Sequence, residues 1–171
     1  AVDEKFRLYP GVDISCRPGG GLRLFASWNK AMRLPTFTDL YYKSPTQEGN
    51  VGLRPEKVSS TKIGAEWRNS WAEASLQGYF NRGADMIDWV MYSAEDIYHS
   101  ANFKLDNCGF SVNAAADFRS LLNANFPIGR VSLAYAYIHQ NKKDGEGAYR
   151  SNYAMEYLRH KLVLTLDHRI L

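Results

Sequence analysis

Histidine, cysteine, serine and the acidic side chains are the residues here that bind metals or attack substrates, and their spacing argues against both. His160 and His168 share parity on one predicted strand. At ~3.3 Å per residue they stand roughly 26 Å apart, too far for one metal ion. His99 and His139 fall at strand-to-loop borders. His99, beside Tyr98, has a haem or metal role as one reading, but an ordinary exposed histidine fits the pattern better. Cys16 and Cys108 form no Cys-x-x-Cys pair, so a zinc ribbon or redox motif is unsupported. Nothing places a serine, a histidine and an aspartate together, so we expect no catalytic residue, no metal site and no cofactor, and do not read the chain as an enzyme. The loop aromatics Tyr41, Tyr42, Trp89, Tyr92 and Tyr98, with His99, are the better ligand-binding candidates, because large planar ligands are commonly gripped by aromatic surfaces. The competing reading has these rings packing loop against loop or sitting in an interfacial belt.

Strands must position these residues. From Trp71 to Asn81, Ala72, Ala74, Leu76, Gly78 and Phe80 fall on one face and Glu73, Ser75, Gln77, Tyr79 and Asn81 on the other. Strict alternation means a strand with one apolar and one wet face, and its length suits a tilted membrane crossing. The same alternation recurs around Leu22–Asn29, Lys62–Arg68, Phe110–Phe118, Val131–Tyr137 and Lys161–Asp167. A weaker strand, Phe6–Ser15, contains Pro10, giving about seven strands in an antiparallel up-and-down meander. Short connections are expected at 17–20 and 69–70 and long ones at 34–57, 83–102 and 141–157. The region 119–127 is less regular, and Leu121 and Leu122 suit a short helical turn. The long segments should lie at one end of the sheet and the short turns at the other, as in outer-membrane barrels. Trp28, Trp67, Phe80, Phe118 and Tyr137 lie near the ends of apolar faces, as an aromatic girdle requires; Trp71 also ends a strand but shares the polar parity. Cys16 at a turn and Cys108 roughly 30 Å up the sheet should remain free thiols.

Composition narrows the class. The 171 residues make one ordinary domain, and 45% of them are apolar, against disorder. The net charge of +3 comes from 21 basic and 18 acidic residues, too balanced to argue for nucleic acid. The cluster Lys142-Lys143-Asp144 reads as a solvated loop. No run approaches the ~18 apolar residues of a membrane helix, which leaves strands open as membrane spans. Alternation alone leaves a membrane barrel and a soluble β-sandwich equally open.

Two stretches separate them. SWNKAMRLPTFTDLYY, Ser27–Tyr42, resembles the R-x-P-x-x-x-(E/D)-L-Y segment of TonB-dependent receptors, with Arg33, Pro35, Asp39, Leu40 and Tyr41 in place. GNVGLRPEK, Gly49–Lys57, resembles that family's G-N-P-x-L-x-P-E, with Gly49, Asn50, Leu53, Pro55 and Glu56 in place and Val51 where proline is common. LQGYFNRGADMIDWV resembles a later family strand, as does NCGFSVNAAADF, where Ser111 stands in place of a usual acidic residue. The likeness covers essentially the whole chain. The motif residues themselves read as loop-shaping: Pro35 turns the chain out of its strand, and Gly49 and Asn50 tolerate left-handed backbone.

The resemblance implies part of a barrel of about 22 strands with a plugged lumen, in the bacterial outer membrane. It implies uptake of a ferric siderophore, haem, cobalamin or similar nutrient, energised through the inner-membrane TonB protein. Residues 1–171 would be a partial barrel domain with no plug, whose partners are outer-membrane lipid, the missing strands and the plug. About seven strands are not expected to transport alone. If the chain folds in water, its apolar rows need a second copy, detergent or an inward curl of the sheet for cover. The alternative function is a soluble β-sheet ligand- or glycan-binding module.

Overall fold

A computed structural model describes residues 8–123, 126–143, 148–152 and 158–168. Seven strands form an antiparallel meander: β1 (Gly11–Gly19), β2 (Leu22–Arg33), β4 (Glu56–Arg68), β5 (Ala72–Met91), β6 (Tyr98–Asp117), β7 (Ile128–Lys143) and β9 (His160–His168). Two-residue strands β3 (Gln47–Glu48) and β8 (Arg150–Ser151) add to β6 and β5. Among the described residues the helices are α1 (Phe37–Tyr41) and α2 (Phe118–Leu121). Among the described residues the sheet is open, β1 and β9 each pairing on one side.

Register turns the alternation of single strands into continuous faces. Cys16, Leu24, Ala65, Leu76, Val112, Tyr135 and Leu162 are successive cross-strand partners. The next row is Ile14, Ala26, Ile63, Gly78, Phe110, Tyr137 and His160. A one-residue slip anywhere would mix these rows with polar ones. The apolar face is uncovered: Ile63 is 60% exposed, Leu76 54% and Leu164 69%. Burying such side chains is worth about 1.5–3 kcal/mol each, so a face this large left bare marks a surface built for an apolar partner. The leucines are not curled inward.

The opposite face is polar and concave. Its ladder includes Arg23–Glu66 (3.0 Å), Arg68–Glu73 (2.7 Å), an Arg130–Glu73 ion pair, Asn113–Ser75 (3.1 Å) and Asn81–Asn107 (2.8 Å). An open cleft of 660 Å³ lies against it.

The connections depart from expectation in particular ways. The first turn lies at Gly19-Gly20-Gly21, all at positive φ, two residues later than composition suggested; only glycine takes those angles in succession without strain. Phe6, where the first strand was expected to begin, is outside the described residues. The segment 83–102 is mostly strand: β5 runs to Met91 and β6 starts at Tyr98, each 20 residues long. Its alternation is broken by a bulge between Gly83 and Met86 and by burial of Ile87, Asp88, Trp89 and Val90, and a strand buried on both sides shows no period of two. Asp117 caps α2, accepting from Ser120 N at 2.9 Å. In the last long segment, β8 lies along β5, with a Ser151 hydroxyl on buried Asp88. Residues 144–147 and 153–157 of that segment lie outside the described residues, as does Leu171.

The expected ends hold. Arg33 pairs with Glu56, Lys57 with Ala84 and Lys104 with Lys143 at one end. Leu22 pairs with Trp67 and Ala72 with Ala116 at the other, beside the short turns. The small core sits at the long-loop end, in Leu53, Ile87, Trp89, Val90 and Phe103. Cys16 and Cys108 are free thiols.

Candidate functional site

The two motif stretches form one knot at this end. Pro35 follows β2, and Thr36 then caps α1. Its hydroxyl accepts from Asp39 N (3.1 Å), and the Asp39 carboxylate accepts from Thr36 N (2.9 Å) and Thr36 Oγ1 (2.7 Å). This reciprocal box satisfies donors that a five-residue helix otherwise leaves unmade. The Asp39 carbonyl accepts from Asn50 N (3.0 Å) and Ser100 Oγ (2.7 Å), tying both motifs to β6. Gly49 donates to Tyr42 O at 2.7 Å. A Cβ there would stand 2.9 Å from the Leu40 carbonyl carbon, so the two chain segments approach this closely only at glycine. Leu40 itself is half-buried and Leu53 is buried in the small core.

Arg33 and Glu56 close the knot. Arg33 Nε and Nη2 donate to the Glu56 carboxylate at 2.5 and 2.8 Å, and Ile87 N donates to it at 2.8 Å. Asp39 lies 3.7 Å from Arg33. Both partners lie beyond the apolar rows. The Arg33 hydrogen bond, opposed by desolvation, holds the Glu56 carboxyl below the usual carboxylate range. The same bond holds the Arg33 guanidinium above its ordinary value. Following Pro55 is the route back into β4, and Arg54 just before it is held by a side chain rather than a strand. Asn102 accepts from Arg54 N (2.8 Å) and donates to Arg54 O (3.0 Å) and Asp85 O (2.7 Å). Asp85, at φ 56° in the bulge, pairs with Arg54 at 2.7 Å and Lys57 at 3.8 Å. Asn102, Asp85, Arg54 and Ser100 escaped sequence reasoning because no period marks them. The usable signal was an aspartate beside Gly83-Ala84, since aspartate tolerates left-handed backbone better than most residues.

The six ligand candidates gather at this end but differ in access. Tyr41 (57% exposed), Tyr42 (44%) and Tyr92 (51%) face solvent, whereas Trp89 is 6% exposed with the Tyr42 ring edge-on at 6.4 Å. Tyr41 lies 4.9 Å from the exposed ring of Phe37, an aromatic that the motif reading passed over. Tyr98 and His99 are half-buried at the start of β6. His99 stacks near Tyr92 (6.2 Å), reaches Asp96 at 3.2 Å and has Glu48 at 4.0 Å. Backbone donation from Tyr92, then the His99 contact, lowers the Asp96 carboxyl. Lys43 lowers that of Glu48, with His99 a smaller cause. Among the described residues no three His, Cys, Asp or Glu side chains are grouped to hold a metal.

The family described as TonB dependent receptor-like, beta-barrel matches residues 5–170. The vitamin B12 transporter BtuB of Vibrio vulnificus (strain YJ016) is 33% identical over 79 residues, 46% of this chain and 12% of that protein. Two solved structures share the fold. The copper transporter OprC superposes with a TM-score of 0.63 at 14% identity, over 78% of this chain and 20% of its own. The FrpB iron transporter from Neisseria meningitidis (F3-3 variant) gives 0.57 at 12% identity, over 84% and 21%. The chain therefore spans about a fifth or less of each relative. The bare apolar face, the polar concave face and the family match agree: the chain belongs to the TonB dependent receptor-like β-barrel family and is part of a barrel in the bacterial outer membrane.

Proposed function

We propose that this chain forms roughly a third of the wall of an outer-membrane nutrient transporter, taking up a ferric siderophore, haem, cobalamin or a similar scarce compound, energised through TonB. The observation that carries this reading is the register, which lays every apolar row on one uncovered face and the ion-pair ladder on the other. That is the arrangement of a strand wall between lipid and a polar lumen. It also weighs against a soluble module, whose apolar rows would be buried.

In this reading the long-loop end faces the medium, and Tyr41, Tyr42, Tyr92 and His99 contact the nutrient, with Phe37 beside them. Tyr98 borders that surface. Trp89 acts from beneath, as the buried support of Tyr42. The relatives are named as transporters of vitamin B12, copper and iron, which do not single out one cargo. The motif residues serve by holding the loop that presents these rings. Transport needs a closed barrel, since unpaired strand edges are costly in lipid, and a plug that TonB can pull. This segment alone should therefore transport nothing.

The test is uptake of labelled cobalamin and labelled ferric siderophores by cells expressing the full-length receptor, with and without TonB. Energy-dependent uptake of one such compound, reduced severalfold by Tyr41→Ala with Tyr92→Ala, is the expected result. Uptake indifferent to TonB, or energy-dependent uptake by these 171 residues alone in liposomes, would overturn the reading.

A further inference from the structure

Most ion pairs at the long-loop end join groups whose charge is fixed at neutral pH. His99 differs, because imidazole ordinarily changes charge between about pH 5 and 8. It is the second residue of β6, and its ring stands between two separate loops. On one side Nε2 lies 3.2 Å from Asp96 Oδ1, within its own hairpin. On the other side Nδ1 has Glu48 Oε2 at 4.0 Å, on β3 of the motif loop. The second Glu48 oxygen, Oε1, accepts from Lys43 Nζ at 3.0 Å. The backbone joint at this point is slight. β3 meets β6 through Gln47 with Tyr98 and Glu48 with His99, and Tyr98 N donates to Thr46 O at 3.0 Å. The rest of the motif loop is tied down elsewhere, by Ser100 on the Asp39 carbonyl and by Asn102 on Arg54. Residues 43–48 are therefore a strap across the hairpin, and Glu48 with His99 is its ion contact there.

The two ring nitrogens thus face two different acceptors. A neutral imidazole has one N–H and one lone pair, so it satisfies one carboxylate and turns a lone pair towards the other. Only the imidazolium donates from both. The carboxylates themselves stay ionised as His99 titrates. Donation from Tyr92 N, then the His99 contact, lowers Asp96, and Lys43 lowers Glu48. The other charged and titratable neighbours are Tyr92, with its ring 6.2 Å from that of His99, exposed Glu95 beside Asp96, and Arg150 on β8. Val90 pairs with both His99 and Ser151, so β8 lies beyond β5 and Arg150 stands roughly 10 Å from His99. Glutamate, tyrosine, lysine and arginine ordinarily keep their charge over the imidazole range.

We propose that His99 is a proton-operated clasp: as imidazolium it holds the 43–48 strap on the β5–β6 hairpin, and as neutral imidazole it releases it. The neutral ring keeps the shorter, local bond to Asp96 and leaves Glu48 to Lys43, which lies on the strap itself. The clasp is complete where His99 is protonated and is lost as pH rises through the imidazole range. Tyr42 borders the strap and Tyr92 lies against His99, so the same proton sets the spacing of two rings assigned to the nutrient. That last consequence rests on the proposed ligand surface; the clasp itself does not.

The test follows hydrogen exchange at the Tyr98 amide, whose bond to Thr46 closes the strap, in the purified full-length receptor. Exchange is measured at about pH 5.5 and about pH 8.5, either side of the imidazole range, with each rate divided by its intrinsic chemical rate. No nutrient is present, so failure here and failure of the uptake test are separate results. Protection at Tyr98 should fall on the order of 5-fold from the lower to the higher pH, the scale of an exposed ion pair. H99Q and E48Q should each show low protection that no longer depends on pH. H139Q, opposite Cys108 lower on the sheet, should keep the wild-type response. The Arg54 amide, held by Asn102 in the same loop, should stay equally protected at both pH values. A flat wild-type profile, a response that survives in H99Q or E48Q, or an equal fall at Arg54 would overturn the proposal.

Discussion

At the scale of single residues, the family motifs are hydrogen-bonding devices before they are anything else. Asn102 stands in for a missing strand by satisfying both backbone groups of Arg54 and the carbonyl of Asp85. Asn102→Ala should loosen that re-entry by about 1–2 kcal/mol, read as faster hydrogen exchange at the Arg54 amide in the full-length receptor; unchanged exchange there would refute the clamp. The Arg33–Glu56 pair has a sign that can be checked. The folded Glu56 carboxyl is lowered, so its contribution is complete above about pH 4.3, the ordinary glutamate value, and is lost as pH falls through the lowered folded value. Limited proteolysis of 34–55 should accelerate only below that range. Arg33→Ala should cost about 1–3 kcal/mol at neutral pH, toward the lower end because the Arg33 side chain is half exposed. Proteolysis of the Arg33→Ala variant that still sharpened on acidification as in wild type would show that another group sets the response.

At the scale of elements, the bulge on β5 decides what the β5–β6 hairpin presents. Gly83 pairs with Leu105 but Met86 with Phe103, so β5 carries one extra residue and its parity switches while that of β6 does not. Ile87 and Trp89 consequently share a face with Asn102 and Ser100. Deleting Asp85 should return Trp89 to the other face, exposing it; iodide quenching, taken as the difference between receptors with and without Trp89→Phe, should rise. Asp85→Asn, which tolerates the same backbone angle, should leave it shielded. Quenching unchanged by the deletion would mean that packing, not register, holds Trp89. Strands with one wet and one apolar face were legible because alternation is their physical signature: Leu22–Asn29 and Trp71–Asn81 are seen as read. The upper hairpin was not, because Ile87–Val90 are buried without alternation and the bulge resets the phase. The motif positions were legible as a group through resemblance. Their partners Ser100 and Asn102 lie about fifty residues away with no pattern to announce them, and the edge-on approach of Tyr42 to Trp89 is a contact that spacing does not encode.

At the scale of the whole molecule, the sheet has its small core at one end and two unlike faces along the rest of its height. A protein stabilised in water would invert this. The arrangement becomes intelligible when lipid is the solvent for one face and the lumen for the other. The rows join across seven strands without a slip in the apolar band apart from bulges near the turns of β1 and β7. The most direct test places single cysteines from Ser75 to Phe80 in the full-length receptor, with Cys16 and Cys108 replaced by serine. The receptor is reconstituted in vesicles and each cysteine carries an environment-sensitive fluorophore. A lipid-embedded quencher should reach positions 76, 78 and 80, and aqueous iodide should reach 75, 77 and 79, alternating with a period of two. Iodide quenching at Leu76 and Phe80 with lipid quenching at Gln77, or no alternation at all, would contradict the account.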